Sequence, residues 1–411
     1  MHHSMLLGGL TSSNLEIRIR ITEANPHLWK YIQSLLITLD DASNIEDGTN
    51  AFFIQTLKAL EPHLSSIRQL YIQFGPNACS TKYHFHVLEP ARRLLERCLS
   101  SEHLESMSID INTQWSEGCL FPERIFRQLS STVTKLAIHT PFTSGALFPG
   151  DFNSLSKFNS PSEPRRYISE FEFATMMRSP ATNRVDEDAV DFEDSILRCC
   201  AILSSLCFNL NFSQTKRLKM VPIWHGEACE PTLRDLPDKA RPSLEELTID
   251  DFPSSALRLG LRSPSLYEYK FLRALSLRIY LCRDAGDDRS CSALVDLFSQ
   301  PLPPTIQHIY IRVDLGVVWT DELDDDVAYG PRHESWKILD SALNGHPTLP
   351  FISIELIWHS EYPWDDGVSP KPDLEQIKER RVEEMTKKWQ GSFSALRERG
   401  IFDIKYTHDL L

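Results

Sequence analysis

His84 and His86 stand two apart in "YHFHV", and on an extended strand that spacing puts both imidazoles on one face. Zinc needs three or four such donors, and without a third beside them packed or solvent-facing histidines are the expectation. "WHGEAC" brings His225, Glu227 and Cys229 into one loop. A Cys–His nucleophile pair can be drawn there, making a Cys/His hydrolase the rival from the enzyme class. The sequence neither fixes that geometry nor supplies an oxyanion site. The acidic run "MMRSPATNRVDEDAVDFEDS" has carboxylates spaced somewhat like a calcium loop but lacks the glycine of its sharp turn. "DELDDD" and "RDAGDD" read as solvated turns, and no GxSxG, P-loop, GxGxxG or HExxH motif occurs. The expectation is a chain that is not an enzyme, with no catalytic residue, no cofactor and no metal.

Composition bounds what remains. The 411 residues are 41% hydrophobic and 24% charged, an ordinary globular balance sufficient for two or three domains or one repeat array. A net charge of -14, from 43 Lys+Arg against 57 Asp+Glu, disfavours nucleic acid as a partner. The start, "MHHSMLLGGLTSSNLEIRIR", lacks the basic region of a secretory signal, and no run approaches the roughly 18–20 apolar residues that span a bilayer. Nine cysteines without CxxC spacing fit reduced thiols in a cytoplasmic or nuclear protein with no membrane association.

The elements that would position any site follow a rhythm. In "PSLEELTIDDF" the apolar residues are Leu244, Leu247 and Ile249, a step of three and then of two. The same step occurs at Ile67, Leu70, Ile72; Leu104, Met107, Ile109; Val133, Leu136, Ile138; Leu272, Leu275, Leu277; and Ile306, Ile309, Ile311. Looser copies are Ile32, Leu35, Ile37; Ile168, Phe171, Phe173; Phe351, Ile354, Leu356; and Ile401, Ile404, Tyr406. "QTKRLKMV" keeps only Leu218 and Met220. Taking the middle residue as marker, the spacing runs from 28 residues (Leu247 to Leu275) to 50 (Ile354 to Ile404). The short steps approach a leucine-rich repeat of about 20–29 residues, and the long ones are that unit with insertions.

A bend explains the rhythm. The first apolar residue turns into the core before a short strand, and the next two point inward from one face of it. Stacking such units aligns the strands in parallel, and each covers its neighbour's apolar edge. Between strands, "FPERIFRQLSS" places Phe121, Ile125 and Leu129 on one helical face, and "HESWKILDSAL" does so with Trp336, Leu339 and Leu343. The expected fold is an α/β leucine-rich-repeat-like solenoid, a horseshoe of irregular strand-plus-helix repeats. A doubly wound sheet would instead show longer continuous apolar runs.

One solenoid over 1–411 is expected, with loop insertions at 148–166, 176–195 and 221–243, where proline, serine, asparagine or acidic residues gather. Residues 372–411 form the closing element. Asp373 caps a helix bearing Leu374, Ile377, Met385, Trp389, Phe393 and Leu396, Gly400 takes the positive-φ turn, and "IFDIKY" follows as a strand.

Three stretches resemble a known family. "NPHLWKYIQSLLITLDD" resembles the segment that follows the F-box in F-box/leucine-rich-repeat-like proteins of mushroom-forming (basidiomycete) fungi. "ESWKILDSALNGHPTLPFISIELIW" is similar to their penultimate unit, and "FSALRERGIFDIKY" to their ending. The resemblance implies a repeat surface that presents substrates, with an N-terminal F-box docked on a Skp-type adaptor of a cullin ubiquitin ligase. "LEIRIRITEANPHLW" begins where that box would already have ended, so the chain is expected to be truncated at its start or to lack the box natively. A Skp-type adaptor is a partner only if a box lies upstream.

The residues flanking each inward pair face the open, concave side and are the expected partner-binding set. They are Gln69, Tyr71, Gln73, Asp110, Lys135, His139, Glu246, Thr248, Asp250, Arg278, His308, Tyr310 and Arg312, with Ser106, Ser108 and Ser276 beside them. Aromatics mixed with both charge signs suit a protein ligand rather than a phosphate polymer. The expected function is that of a non-catalytic protein-interaction solenoid, the substrate-recognition part of an F-box type receptor. A stand-alone scaffold unrelated to ubiquitin is the alternative.

Overall fold

The computed structural model describes residues 3–7, 25, 27, 31–39, 61–74, 89–111, 129–142, 166–177, 210–221, 236–252, 266–281, 288–315, 333–346, 350–360, 383, 387 and 390–410. The chain divides into two compact units, Met1–Thr215 with His225–Lys239, and Lys216–Trp224 with Ala240–Leu411.

In the first unit, strands β1 (His3–Leu7), β2 (Ile32–Leu39), β3 (Gln69–Phe74), β4 (Ser106–Ile111) and β5 (Lys135–Phe142) lie side by side in chain order. A two-residue pair, β6 (Arg166–Tyr167) and β8 (Leu210–Asn211), stands apart, while β7 (Glu170–Met177) joins β5. The second unit repeats the arrangement with β9 (Arg217–Val221), β10 (Glu246–Phe252), β11 (Ala274–Leu281), β12 (His308–Leu315), β13 (Phe351–Ser360) and β14 (Phe402–Leu410). Among the described residues these neighbouring strands pair in parallel. Parallel strands that follow one another across the sheet, with the described helices on the return path, make this an α/β leucine-rich-repeat-like solenoid with an open sheet.

Register shows why the three-then-two rhythm recurs. Leu35, Leu70, Met107, Leu136 and Phe171 are matched across the first unit, and Leu218, Leu247, Leu275 and Ile309 across the second; all are buried. Each such side chain contributes about 1.5–3 kcal/mol by leaving water, but only because the next repeat covers it.

The bend before each strand is a repeated turn. The N–H groups of Ile67, Leu104, Val133, Leu272 and Ile306 donate to carbonyls three residues earlier, at 3.0–3.2 Å. A hydroxyl one residue before the bend often ties one repeat to the last. Ser66 donates to the Ile32 carbonyl at 2.9 Å, Thr132 to Leu104 at 2.8 Å and Thr305 to Leu272 at 2.9 Å. The weakest sequence copy obeys the same geometry. Thr215 occupies its missing apolar position, fully buried, with its N–H on the Phe212 carbonyl at 2.9 Å and its hydroxyl on the Ile168 carbonyl at 2.7 Å. A buried threonine serves there because its polar atom has a partner.

Two C-terminal copies sit in a different frame from the sequence reading. Ile309 is matched with Ile352 and Ile352 with Phe402, so the markers are Ile352 and Phe402 rather than Ile354 and Ile404. Phe351, expected inside, is 42% exposed, whereas Ile352, Ile354 and Leu356 are all buried. The strict alternation of a longer strand, which carries a third inward residue, mimics the bend-plus-pair rhythm.

Helices α1 (Glu89–Leu99), α2 (Asp288–Phe298) and α3 (His333–Asn344) bury Leu94, Leu95, Cys98 and Leu99; Leu294, Leu297 and Phe298; and Trp336, Leu339 and Leu343. Leu129 is the described member of the other expected helical face, and it is buried. Near the C-terminus the helix expected over 373–399 is interrupted. Residues 390–392 are helical, Phe393 is a turn with φ -109° and ψ 46°, and α4 (Ser394–Glu398) starts anew. The break follows from packing. Phe393 is drawn inward to stack on Phe402 at 4.9 Å and lean on Trp336 at 5.7 Å. Asp340 of α3 then accepts the N–H groups of Ala395 at 3.0 Å and Leu396 at 3.1 Å, filling two donors at the head of α4. Gly400 has φ +68°, as expected of the residue that ends this helix. Asp373, Leu374, Ile377, Met385 and Trp389 lie outside the described residues. Of the three expected insertions, the described parts are strand residues Arg166, Met176, Met177 and Val221, and a helical stretch at 236–240 that runs into a turn at 241–243.

Candidate interaction surface

Side chains opposite the core line the open face of each sheet, and in the second unit they lock together. On β10, β11 and β12 the face carries Asp250, Arg278, Arg312 and Asp314. Arg278 and Arg312 are matched in register, so two guanidiniums lie side by side. Asp314, two residues on and only 1% exposed, resolves the repulsion. It accepts the Arg278 Nε–H, and its other oxygen is 3.5 Å from Arg312 Nε. Asp250 Oδ2 lies 3.7 Å from Arg278 on the opposite side. Burial raises the Asp250 carboxyl above its ordinary value, while Arg278, Lys219 and Arg312 pull the other way.

Tyr310 and Glu355 extend the row. The tyrosine hydroxyl donates to the carboxylate, and Glu355 stands opposite Arg312 in register. Burial first, and then the Glu355 hydrogen bond and charge, push the phenol well above its ordinary value, so the group remains a donor at neutral pH. His308 and Phe351 meet edge to face at 6.3 Å beside it. Glu246 is exposed and Thr248 half-buried, matched with Ala274 and Ser276.

In the first unit the face is more polar. Ser34 donates to Gln69 Oε1 at 2.8 Å, and the Tyr71 hydroxyl reaches the same oxygen at 3.4 Å. Gln73 is matched with Asp110 and Asp110 with His139. Lys135 pairs with Glu170 at 3.1 Å, and His139 Nε2 lies 3.6 Å from Glu172.

Every residue of the expected partner-binding set thus lies on a strand, and the structure brings Asp250, Arg278, Tyr310 and Arg312 into one network. The sequence reading missed Asp314, Glu355, Glu170 and Glu172. Asp314 had a signal, because it continues the alternation His308, Tyr310, Arg312. Glu355 had one too, because it lies between the inward Ile354 and Leu356, and the two-residue frame shift on β13 leaves that parity unchanged.

The network holds fixed charges and hydrogen-bond donors but no activated nucleophile. Among the described residues no group of His, Cys, Asp and Glu is arranged to hold a metal. His84, His86, His225, Glu227, Cys229 and the acidic run at 178–195 lie outside the described residues. The buried Cys98 thiol is pushed up to about 12, chiefly by burial, with Arg97 opposing, and is not poised to react. No helix among the described residues is long and apolar enough to cross a membrane.

The molecule is thus of the leucine-rich-repeat-like class, with an exposed strand face. No family model and no curated protein matches the chain. Among solved structures it is similar to the leucine-rich repeat-containing protein LegL7 from Legionella pneumophila, at 13% identity and a TM-score of 0.35, over 95% of this chain and 98% of that one.

Proposed function

We propose that this chain is a non-catalytic protein-interaction solenoid, and that it serves as the substrate-recognition part of an F-box type ubiquitin-ligase receptor in the cytoplasm or nucleus. The observation that carries the interaction reading is the Asp250–Arg278–Asp314–Arg312 network with Tyr310–Glu355 beside it. Guanidiniums held by a buried carboxylate have already lost the rotamer freedom that binding would otherwise remove. Both charge signs and two aromatics within one row favour a protein partner, whose surface mixes the same groups. The receptor reading rests on the resemblance of the opening and closing segments to F-box/leucine-rich-repeat-like proteins.

The test is purification of the endogenous protein with an antibody to 390–400, with intact mass and partners read by mass spectrometry. Adaptor and cullin subunits in the eluate support the receptor reading. Other partners without them leave a stand-alone scaffold. Arg278→Glu should deplete the partners that use this face while leaving any adaptor in place. Retention of every partner by that variant moves the interaction site elsewhere.

A further inference from the structure

Beyond the open face, the last strand carries its own surface. β14 is hydrogen-bonded to β13 on one side and is the end of the sheet order, so its other edge meets no described strand. At nine residues it is a long edge, the kind that templates pairing with another chain unless something blocks it. The inward row also stops short of being covered. Ile352 and Ile354 are buried, whereas their partners on β14, Phe402 and Ile404, are only half-buried. Lys405, 68% exposed and 3.6 Å from Asp403 of its own strand, is the charge expected to guard such an edge.

We propose that the β14 edge is a dimerisation surface, pairing antiparallel with β14 of a second copy about a twofold axis at Thr407. In that register Lys405 stands opposite position 409, an aspartate, and Ile404 opposite position 410, a leucine; the symmetry makes each match twice. The guarding lysine, already beside its own Asp403, thereby gains a second carboxylate from the other copy. Neighbouring registers lose this. Centring on Tyr406 sets Asp403 against Asp409, and centring on Lys405 sets lysine against lysine, like charges that oppose pairing. Centring on Ile404 pairs Asp403 with Lys405 but drives positions 408–410 of one copy against Gly400, Arg399 and the end of α4 of the other, where no strand exists to receive them. The Thr407 register keeps the inward positions of both copies on the same side, so the row that ends at Ile404 continues into the second molecule.

Sedimentation velocity of the full chain over a concentration series should show a species of twice the 47.2 kDa chain mass. Lys405→Asp should weaken its association about tenfold or more, since the symmetry doubles the repulsion. Unchanged thermal melting serves as the folding control, because the side chain is exposed. Combining Lys405→Asp with Asp409→Lys should restore the dimer. A monomer at every soluble concentration overturns the proposal. So does a dimer indifferent to Lys405→Asp, or a ladder of higher assemblies, which marks a head-to-tail contact through a different edge.

Discussion

Replacing Asp340 with alanine removes the carboxylate that joins α3 to α4. Its two oxygens accept the Ala395 and Leu396 N–H groups at 3.0 and 3.1 Å, and the aspartate itself is only 5% exposed. The two donors differ. Leu396 is fully buried, so its orphaned N–H costs about 1–3 kcal/mol, whereas half-buried Ala395 has access to water and costs little. The alanine variant should therefore lose about 1–3 kcal/mol in urea unfolding, with faster amide exchange confined first to 394–398. pH supplies a second arm. Burial is the largest influence on the Asp340 carboxyl and raises it above 3.8, against the pull of the two backbone donors. A raised carboxyl contributes stability that is fully present below its unfolded value and is lost as pH rises through its folded value. Asp340→Asn does not titrate, so the stability of wild type relative to that variant should fall across this window. An alanine variant as stable as wild type, or a difference that grows with pH, refutes the reasoning.

Three further outcomes are expected. Thr215→Val should destabilise by about 1–2 kcal/mol in a thermal melt despite equal volume, because the Ile168 carbonyl loses its hydroxyl donor; a neutral result would mean that water reaches the bend. In an ultraviolet titration Tyr310→Phe should remove a phenol that ionises above the ordinary value of 10.0, and loss of one that ionises below it contradicts the Glu355 hydrogen bond. A thiol reagent at mildly alkaline pH should label Cys98 only as fast as the protein unfolds, since its thiol stays protonated up to about 12; rapid labelling of the native protein would contradict the packing of α1.

The repeats were legible because every inward position meets the same neighbours in the next unit. Leu247 sees Leu218 and Leu275 in register, and the same chemistry is demanded each time. Legibility failed where one geometry admits two side-chain solutions or two geometries admit one pattern. Thr215 fills an apolar position by hydrogen bonding, which no hydrophobic pattern detects. The alternation Ile352, Ile354, Leu356 satisfies both a long strand and a shifted bend, and only pairing with β12 decides between them. The break at Phe393 was equally invisible, because what draws it inward, Trp336 and Phe402, and the Asp340 that then caps α4 lie on other elements. Positions on the open face were readable from parity alone. Their mutual pairing was not, since Arg278 and Asp314 meet only when β11 and β12 are aligned.

The cost of Asp314 argues that this pairing is there for something other than folding. Removing a carboxylate from water costs several kcal/mol, and neighbouring guanidiniums repay this only in part. The strand does not need it, because Ile309, Ile311 and Val313 already hold β12 in the core. Asp314→Ala alone should cost about 3–5 kcal/mol, since Arg278 and Arg312 are left facing each other. Replacing all three together, with Arg278→Met, Arg312→Leu and Asp314→Leu, should return stability to wild type or above it. If that triple variant melts normally yet loses its partners in the endogenous purification, the network exists for recognition. If it melts normally and keeps them, the open face of the second unit is not where this protein binds.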